Sequence, residues 1–226
     1  LGPKEPWAYR NKMQMPVGGV RGDIQMGFYA MGSHDIVQGT NCPIQDDGNN
    51  RIAQICYDIA KELDVEPYDE HTGKGVLRHV IGRIGQSGWM VILVTATEHL
   101  PHQEEWVERI TNRIPQVETI VHNVNSKRTN VILGPTNYVL YGDGTITDHI
   151  KDLQFTLSPH SFFQVNPEQT TVLYDQALAY ADLKGNETVI DAYCGTGTIS
   201  LFLAHKAKHV IGIEIVEPAI INAREN

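Results

Sequence analysis

The chain has 226 residues, of which 41% are hydrophobic, and it carries a formal net charge of −9. This length allows one large or two modest domains, and no tract approaches the roughly 18 apolar residues of a membrane-spanning helix. Three cysteines do not make a disulfide framework, which predicts a reducing, cytoplasmic setting, and the acidic balance makes any nucleic-acid partner depend on a local basic face.

The first 150 residues predict an α+β unit with mainly antiparallel strands. Residues 7–17 alternate as a strand, and Pro16 argues that this strand is an edge or ends there. Residues 34–47 are loop-like and contain Cys42. Apolar residues at helical spacing predict helices over 49–63 and 103–114. Further strands are predicted at 26–30, 76–84 with 89–95 as a hairpin, 119–124, 129–133, and 138–141 with 145–147 as a tight hairpin.

The rest of the chain predicts a strand, a helix and the start of an α/β unit. Residues 152–157 have a strand pattern, and Asn166 is a good N-cap for a helix that has Pro167 at its first position. The helix is predicted to run to about Leu183. Residues 1–155 are therefore assigned to a central α+β domain and residues 156–226 to an α/β domain. The chain starts without methionine and stops inside a helical pattern, so we interpret it as a piece of a longer protein.

A short glycine-rich loop follows an apolar run and an acid at 189–198. This is the form of a cofactor-binding turn between a strand and a helix of a parallel sheet. Gly195 and Gly197 are two glycines, whereas a dinucleotide fingerprint has three. The next strand ends at Glu214, whose carboxylate suits both ribose hydroxyls of S-adenosylmethionine. A dinucleotide site and a βαβ unit that binds nothing are the alternatives.

Several motifs together resemble the RNA uracil-5-methyltransferase family, most closely its 23S rRNA (uracil-5-)-methyltransferases. They are SFFQVNPEQ at 161–169, DAYCGTGT at 191–198, GIE at 212–214, AIINAREN at 219–226, WAYRNKMQMP at 7–16 and LRH at 77–79. The resemblance implies a Rossmann-like S-adenosylmethionine-dependent methyltransferase domain of α/β class, truncated here and preceded by an α+β central domain. It also implies S-adenosyl-L-methionine as cofactor and 23S ribosomal RNA as partner, with neither membrane nor DNA.

The resemblance also assigns site residues. Gln164, Tyr193, Thr198 and Glu214 fall on the family's cofactor contacts, and Asp191, Gly195 and Gly197 complete the loop. Cys42 falls at the place of the fourth ligand of a [4Fe–4S] cluster, whose other ligands lie upstream of this segment in the family.

The mechanism that the resemblance implies begins with a cysteine thiolate that adds to C6 of uracil, after which C5 attacks the methyl group of the sulfonium. A base then removes the C5 proton, and the cysteine is expelled from C6. The family's nucleophile and base lie downstream of residue 226. No catalytic residue is therefore assigned in this chain, and the chain alone is expected to be inactive.

The remaining candidates are cysteines and basic residues. Cys194 suits close packing in the loop, Cys56 suits a buried structural thiol, and Cys42 is ambiguous without the resemblance. RNA contacts need positive charge and exposed aromatic rings. The candidates are Arg10, Lys12 and Arg78, then Arg83, Lys127 and Arg128, with Phe162 as a stacking surface; a solvated charge or, for Phe162, core packing is the alternative.

Two other functions stay open on the residues alone. The first is a tRNA uracil-5-methyltransferase, which shares the cofactor motifs. The second is a non-catalytic RNA-binding module that retains a cofactor-like fold. No histidine, His79 and His160 included, has the spacing of a metal ligand.

Overall fold

The computed structural model describes residues 2–226, apart from the side chain of Pro218. The chain divides into two compact units. One comprises Trp7–Thr145, and the other comprises Ile146–Asn226 together with the N-terminal residues up to Pro6.

The first unit is a mixed sheet with two helices. The strand order is β3-β2-β1-β4-β5-β6-β7, and all neighbours are antiparallel except β5 and β6, which are parallel. The elements are β1 (Lys12–Val20), β2 (Asp23–Tyr29), β3 (Ile36–Gln38), α1 (Asp47–Glu62), β4 (Leu77–Ile84), β5 (Trp89–Thr95), α2 (Gln103–Arg113), β6 (Val117–Val124) and β7 (Thr136–Tyr141).

The core of this unit lies between the helices and the sheet. The apolar face of α1, with Ile52, Cys56 and Ile59, and the face of α2, with Trp106 and Ile110, are fully buried in one hydrophobic cluster. Apolar strand residues on one face of the sheet complete this cluster, because side chains at i and i+2 lie on the same face. The predicted helices and the β4–β5 hairpin are confirmed.

Pro16 lies inside a central strand, so the prediction of an edge or a strand end is wrong. Residues Lys12 to Pro16 pair with β4, whereas Val17 to Val20 pair with β2. The proline therefore sits where β1 changes partner, and its missing N–H falls at the change.

The strand predicted at 129–133 and the hairpin predicted between 138–141 and 145–147 are also wrong. Residues 129–133 form a loop, because the side-chain amide of Asn125 donates to the carbonyls of Val131 (2.6 Å) and Ile132 (3.0 Å). Strand β7 pairs with β6 and not with the residues that follow it. Those residues form β8 (Ile146–Ile150), which pairs with β9 (Leu153–Leu157).

The second unit joins the β8–β9 hairpin to a parallel strand pair. Its other elements are α3 (Pro167–Ala181), β10 (Thr188–Ala192), α4 (Thr198–Ala204), β11 (His209–Ile213) and α5 (Glu217–Glu225). Strands β10 and β11 are parallel. Asn166 caps α3 by accepting the N–H of Gln169 at 3.1 Å, with Pro167 in the first turn, as predicted.

The units divide before the hairpin, whereas the sequence predicted the domain change near residue 155. The physical reason is that β8 and β9 pair only with each other and pack on α3, α4 and α5. Within the described residues, none of the helices has the length and apolar character needed to cross a membrane. All three cysteines are free thiols.

Candidate cofactor site

The turn between β10 and α4 is tightly fixed by its own backbone. The N–H of Gly197 donates to the carbonyl of Cys194 (2.9 Å), and the N–H of Cys194 donates to the carbonyl of Ile213 at the end of β11 (3.0 Å). Gly195 and Gly197 have φ of 56° and 81°, and Tyr193 has φ of 66°. A tyrosine in the left-handed region is strained, and such strain concentrates at functional sites. Its side chain is 88% exposed.

Glu214 closes the turn from the end of β11. Its Oε2 accepts the N–H of Gly195 (3.0 Å), while Oε1 accepts the N–H groups of Ile215 (2.7 Å) and Val216 (2.8 Å). These bonds from Val216, Ile215 and Gly195 hold the pKa of the carboxyl below its usual value. Glu214 is therefore an ionised acceptor at neutral pH.

Asp191 lies one strand away from Glu214. Residue 191 is paired with Gly212, two residues before Glu214, so both acids stand at the carboxyl ends of adjacent parallel strands. The hydroxyl of Ser200 donates to Asp191 Oδ2 at 2.5 Å, which ties the acid to α4. The hydroxyls of Thr198 and Tyr174 lie 2.9 Å apart, which ties the start of α4 to α3.

The segment that carries Gln164 and Phe162 lies beside this turn. The hydroxyl of Thr196 donates to the carbonyl of Phe162 at 3.4 Å, and Asn222 Nδ2 donates to Ser161 Oγ at 2.6 Å. Phe162 is 71% exposed, so its ring does not pack in the core. The neighbouring Phe163 is the buried ring.

Three positioning residues were missed by the sequence reasoning: Ser200, Tyr174 and Asn222. Each is an ordinary polar residue on a helix, and nothing in the spacing of the sequence distinguishes it from a solvated side chain. Only the fold brings their side chains to Asp191, Thr198 and Ser161.

The site fits S-adenosylmethionine better than a dinucleotide. The N–H groups of Cys194, Gly195 and Gly197 are already bonded within the turn, so they are not directed at a pyrophosphate. A Cβ at Gly195 would meet no heavy atom within 4 Å, which leaves the backbone there open to a ligand. An ionised carboxylate beside that opening suits hydroxyl donors.

The cysteines are poorly placed as nucleophiles. Burial raises the pKa of Cys56 to about 12. Burial, and then the charges of Asp191 and Glu214, raise the pKa of Cys194, whose sulfur packs against Gly212. Since the thiolate is the reactive form, neither thiol is activated.

Cys42 is held by its backbone in a loop. Its N–H donates to Asn50 Oδ1 (3.0 Å), and Asn50 Nδ2 donates to its carbonyl (3.2 Å). Among residues 2–226, no three His, Cys, Asp or Glu side chains converge on one point. The described residues therefore do not form a [4Fe–4S] site by themselves, since such a cluster needs four ligands.

Two of the basic RNA candidates have structural partners. Arg78 is 2% exposed, and its Nη1 donates to the carbonyls of Asn125 (2.7 Å) and Lys127 (2.8 Å). Arg128 Nη2 donates to the carbonyls of Glu70 (3.2 Å) and His71 (2.7 Å). Arg78 is thus placed to hold a loop and not to meet a phosphate.

Arg10, Lys12 and Arg83 form a cationic group at the start of β1. Lys12 lies directly opposite Arg83 across the strand pair. Burial, then Arg83, then Arg10, lower the pKa of Lys12 from 10.5 to about 7. Like charges that face each other across strands are destabilising, and an anion between them would relieve the repulsion.

Replacing Lys12 with methionine should stabilise the chain. The folded pKa of Lys12 lies below its unfolded value, so at pH 7 the unfolded state binds more protons, and the stability of the wild type should rise from pH 7 to pH 10. We expect Lys12→Met to raise the free energy of unfolding by about 2–4 kcal/mol at pH 7. Urea unfolding at pH 7 and pH 9 would measure this.

The exposed Lys74 provides the matched control. Lys74→Met should leave both the stability and its pH dependence close to those of the wild type. If the two variants behave alike, Lys12 is solvated and its burial has no energetic consequence.

Two of the three comparisons with known proteins found similar proteins. No family model matches the chain. It is 52% identical to an uncharacterized RNA methyltransferase of Halalkalibacterium halodurans over 228 residues and 49% identical to one of Clostridium tetani over 232 residues. Both alignments cover 100% of this chain and 50% of the relative. The chain therefore spans about half the length of the curated relatives it matches.

One solved structure has a closely similar fold. The tRNA (uracil-54, C5)-methyltransferase of Pyrococcus abyssi, in complex with S-adenosyl-L-homocysteine, matches with a TM-score of 0.79 at 24% identity. The match covers 98% of this chain and 53% of that chain. The predicted fold class, a Rossmann-like fold of α/β type, is confirmed.

Proposed function

We propose that this chain is part of an RNA methyltransferase that transfers a methyl group from S-adenosylmethionine to C5 of a uracil in 23S ribosomal RNA. The observation that carries the proposal is Glu214, an ionised carboxylate fixed beside a glycine-rich turn at the end of a parallel strand. Relatives named RNA methyltransferases support the reaction class. The SFFQVNPEQ and DAYCGTGT motifs support uracil C5, whereas Cys42 and the WAYRNKMQMP and LRH signatures support the ribosomal branch.

Seven residues would hold the cofactor. When bound, S-adenosylmethionine supplies an electrophilic methyl group. A carboxylate offers about four acceptor positions, and Glu214 already uses three, so one ribose hydroxyl can bond without any change in the turn. The second hydroxyl requires the release of one backbone bond. Besides Glu214, the residues that would hold the cofactor are Gln164, Asp191, Tyr193, Gly195, Gly197 and Thr198.

The RNA is proposed to approach with its target base unstacked. Phe162 presents an exposed ring beside the turn, and base stacking on such a ring is a common mode of single-strand recognition. Arg10 and Lys12 are the proposed phosphate contacts. A covalent adduct at C6 needs a thiolate, and neither Cys56 nor Cys194 supplies one.

Methyl transfer by the full-length protein tests the proposal. Labelled S-adenosylmethionine would be supplied with 23S rRNA or tRNA transcripts, and the product nucleosides would be separated. We expect 5-methyluridine in 23S rRNA. Label in tRNA alone would favour the tRNA alternative, and no label in either RNA would favour the non-catalytic one. Residues 1–226 alone should give no 5-methyluridine, and detectable product would show that one of their cysteines is the nucleophile.

A further inference from the structure

A second polar cavity lies in the Trp7–Thr145 unit. It has a volume of about 250 Å³. Tyr29 and His34 come from the region of β2 and the following turn, Arg78 and His79 come from β4, and Glu70 comes from the loop before β4. The loop 129–132 closes it, and an adjoining cavity of about 350 Å³ shares Tyr29, His34 and Glu70. We call the smaller space the Tyr29 cavity.

The walls of the Tyr29 cavity are fixed by hydrogen bonds. Arg78 holds the carbonyls of Asn125 and Lys127, and Asn125 in turn holds those of Val131 and Ile132. On the other side, Arg128 bridges to the loop that carries Glu70. A binding site whose walls are already ordered loses less entropy when a ligand enters.

One residue in the cavity wall, His79, has a buried polar atom without a partner. His79 is 5% exposed, and its Nδ1 is buried with no hydrogen-bond partner among the described residues. Burial, and then the charge of Arg78, lower the pKa of His79 to about 3, so the ring is neutral. Buried polar atoms are nearly always hydrogen-bonded, so the neutral ring of His79 keeps unused hydrogen-bonding capacity in the cavity wall.

Glu70 offers a second acceptor. Its Oε1 accepts a long 3.4 Å bond from Arg78 Nη2, and its side chain is 31% exposed. Oε2 accepts no bond from the described part of the chain. Tyr29 meets His34 edge to face, with ring centroids 5.0 Å apart, and Val131 is 64% exposed on the closing loop. The lining of the cavity thus combines the ring of Tyr29 and the apolar side chain of Val131 with the carboxylate of Glu70.

These features disfavour a phosphate. Glu70 offsets the charge of Arg78 in the cavity, and Asp35 and Asp69 line the adjoining one, so no excess positive charge attracts an anion. The Nη1 group of Arg78 is already committed to two carbonyls. A neutral, planar ligand with N–H donors fits instead.

We propose that the Tyr29 cavity binds an unpaired nucleobase with an exocyclic amino group, at a position other than the methylated uracil. Tyr29 and Val131 contact its faces, while Glu70 accepts its N–H groups and His79 supplies a further polar contact. Guanine fits best, because it presents two adjacent N–H donors to one carboxylate. The inference rests on the proposed function, because it takes RNA as the partner.

Heptamers of RNA with a single variable position test the inference. The probes are UUUXUUU with guanine, adenine, cytosine, uracil or an abasic site at X, and fluorescence anisotropy with the full-length protein gives the dissociation constants. We expect guanine to bind about tenfold more tightly than the abasic probe, with uracil close to the abasic value.

Two variants separate the contacts. Glu70→Gln should abolish the guanine-over-uracil preference, whereas Tyr29→Ala should reduce the binding of every base towards the abasic value. Glu108→Gln, which removes the same charge from α2 outside the cavity, should bind every probe as the wild type does. Circular dichroism would confirm that each variant is folded.

The outcomes that overturn the inference are distinct. Equal affinity for all five probes would overturn the base site and leave the proposed methylation of uracil untouched. No binding to any probe would overturn the base site together with the assignment of RNA as the partner. A guanine preference that survives Glu70→Gln would overturn the role of the carboxylate.

Discussion

Replacing Glu214 with alanine should weaken the binding of S-adenosylmethionine by about 30- to 100-fold. The change removes the ionised acceptor for a ribose hydroxyl. It also releases three backbone N–H groups, those of Gly195, Ile215 and Val216, so the turn loses its fixed form. Calorimetric titration of the full-length protein with S-adenosylmethionine would measure the loss.

Two further variants serve as controls for this measurement. Glu214→Gln keeps one acceptor oxygen, so we expect a smaller loss of about tenfold. Glu225→Ala removes an exposed acid from α5 of the same unit and should leave the affinity unchanged. Wild-type affinity in Glu214→Ala would place the ribose contact elsewhere.

Replacing Arg78 with methionine should lower the free energy of unfolding by about 3–5 kcal/mol. The buried guanidinium bonds the carbonyls of Asn125 and Lys127 and pairs with Glu70, so the apolar side chain leaves these acceptors without a donor. Urea unfolding of the chain, followed by circular dichroism, would measure the change.

An exposed arginine provides the comparison. Arg113 pairs with Glu62 on the surface, and Arg113→Met should cost no more than about 1 kcal/mol. Arg78→Lys should fall between the two, because an ammonium cannot reproduce the planar fork of the guanidinium. Equal losses for Arg78→Met and Arg113→Met would show that burial adds nothing to the role of Arg78.

The sequence predicted the secondary structure correctly where the determining residues lie within the element itself. The apolar periodicity of α1 and α2 gives both helices to within two residues at each end. Asn166 and Pro167 predict the start of α3, because a cap bonds within its own first turn. The glycine-rich turn between β10 and α4 was also predicted from the sequence, since the positive φ angles at positions 195 and 197 favour glycine.

Several of the failures involve partners that are distant in sequence. The pairing of β7 with β6 is decided by the sheet and not by the turn that follows β7. The sequence predicts Arg78 as an RNA contact or a solvated charge. Its structural role is not predicted, because the two carbonyls that accept its hydrogen bonds lie 47 and 49 residues away. Residues 162 and 163 are both phenylalanine, and only the packing against Phe155 determines which of the two rings is buried.

The position of β1 in the sheet affects how this protein is made. Strand β1 stands between β2 and β4, and its residues Lys12 to Pro16 pair only with β4, which begins at Leu77. As the nascent chain leaves the ribosome, β1, β2, β3 and α1 emerge before β4. Until then this part of β1 is a bare strand edge with Met13 and Met15 uncovered, the kind of edge that other chains can add to. That edge is therefore first closed when β4, which ends at Ile84, has emerged from the ribosome.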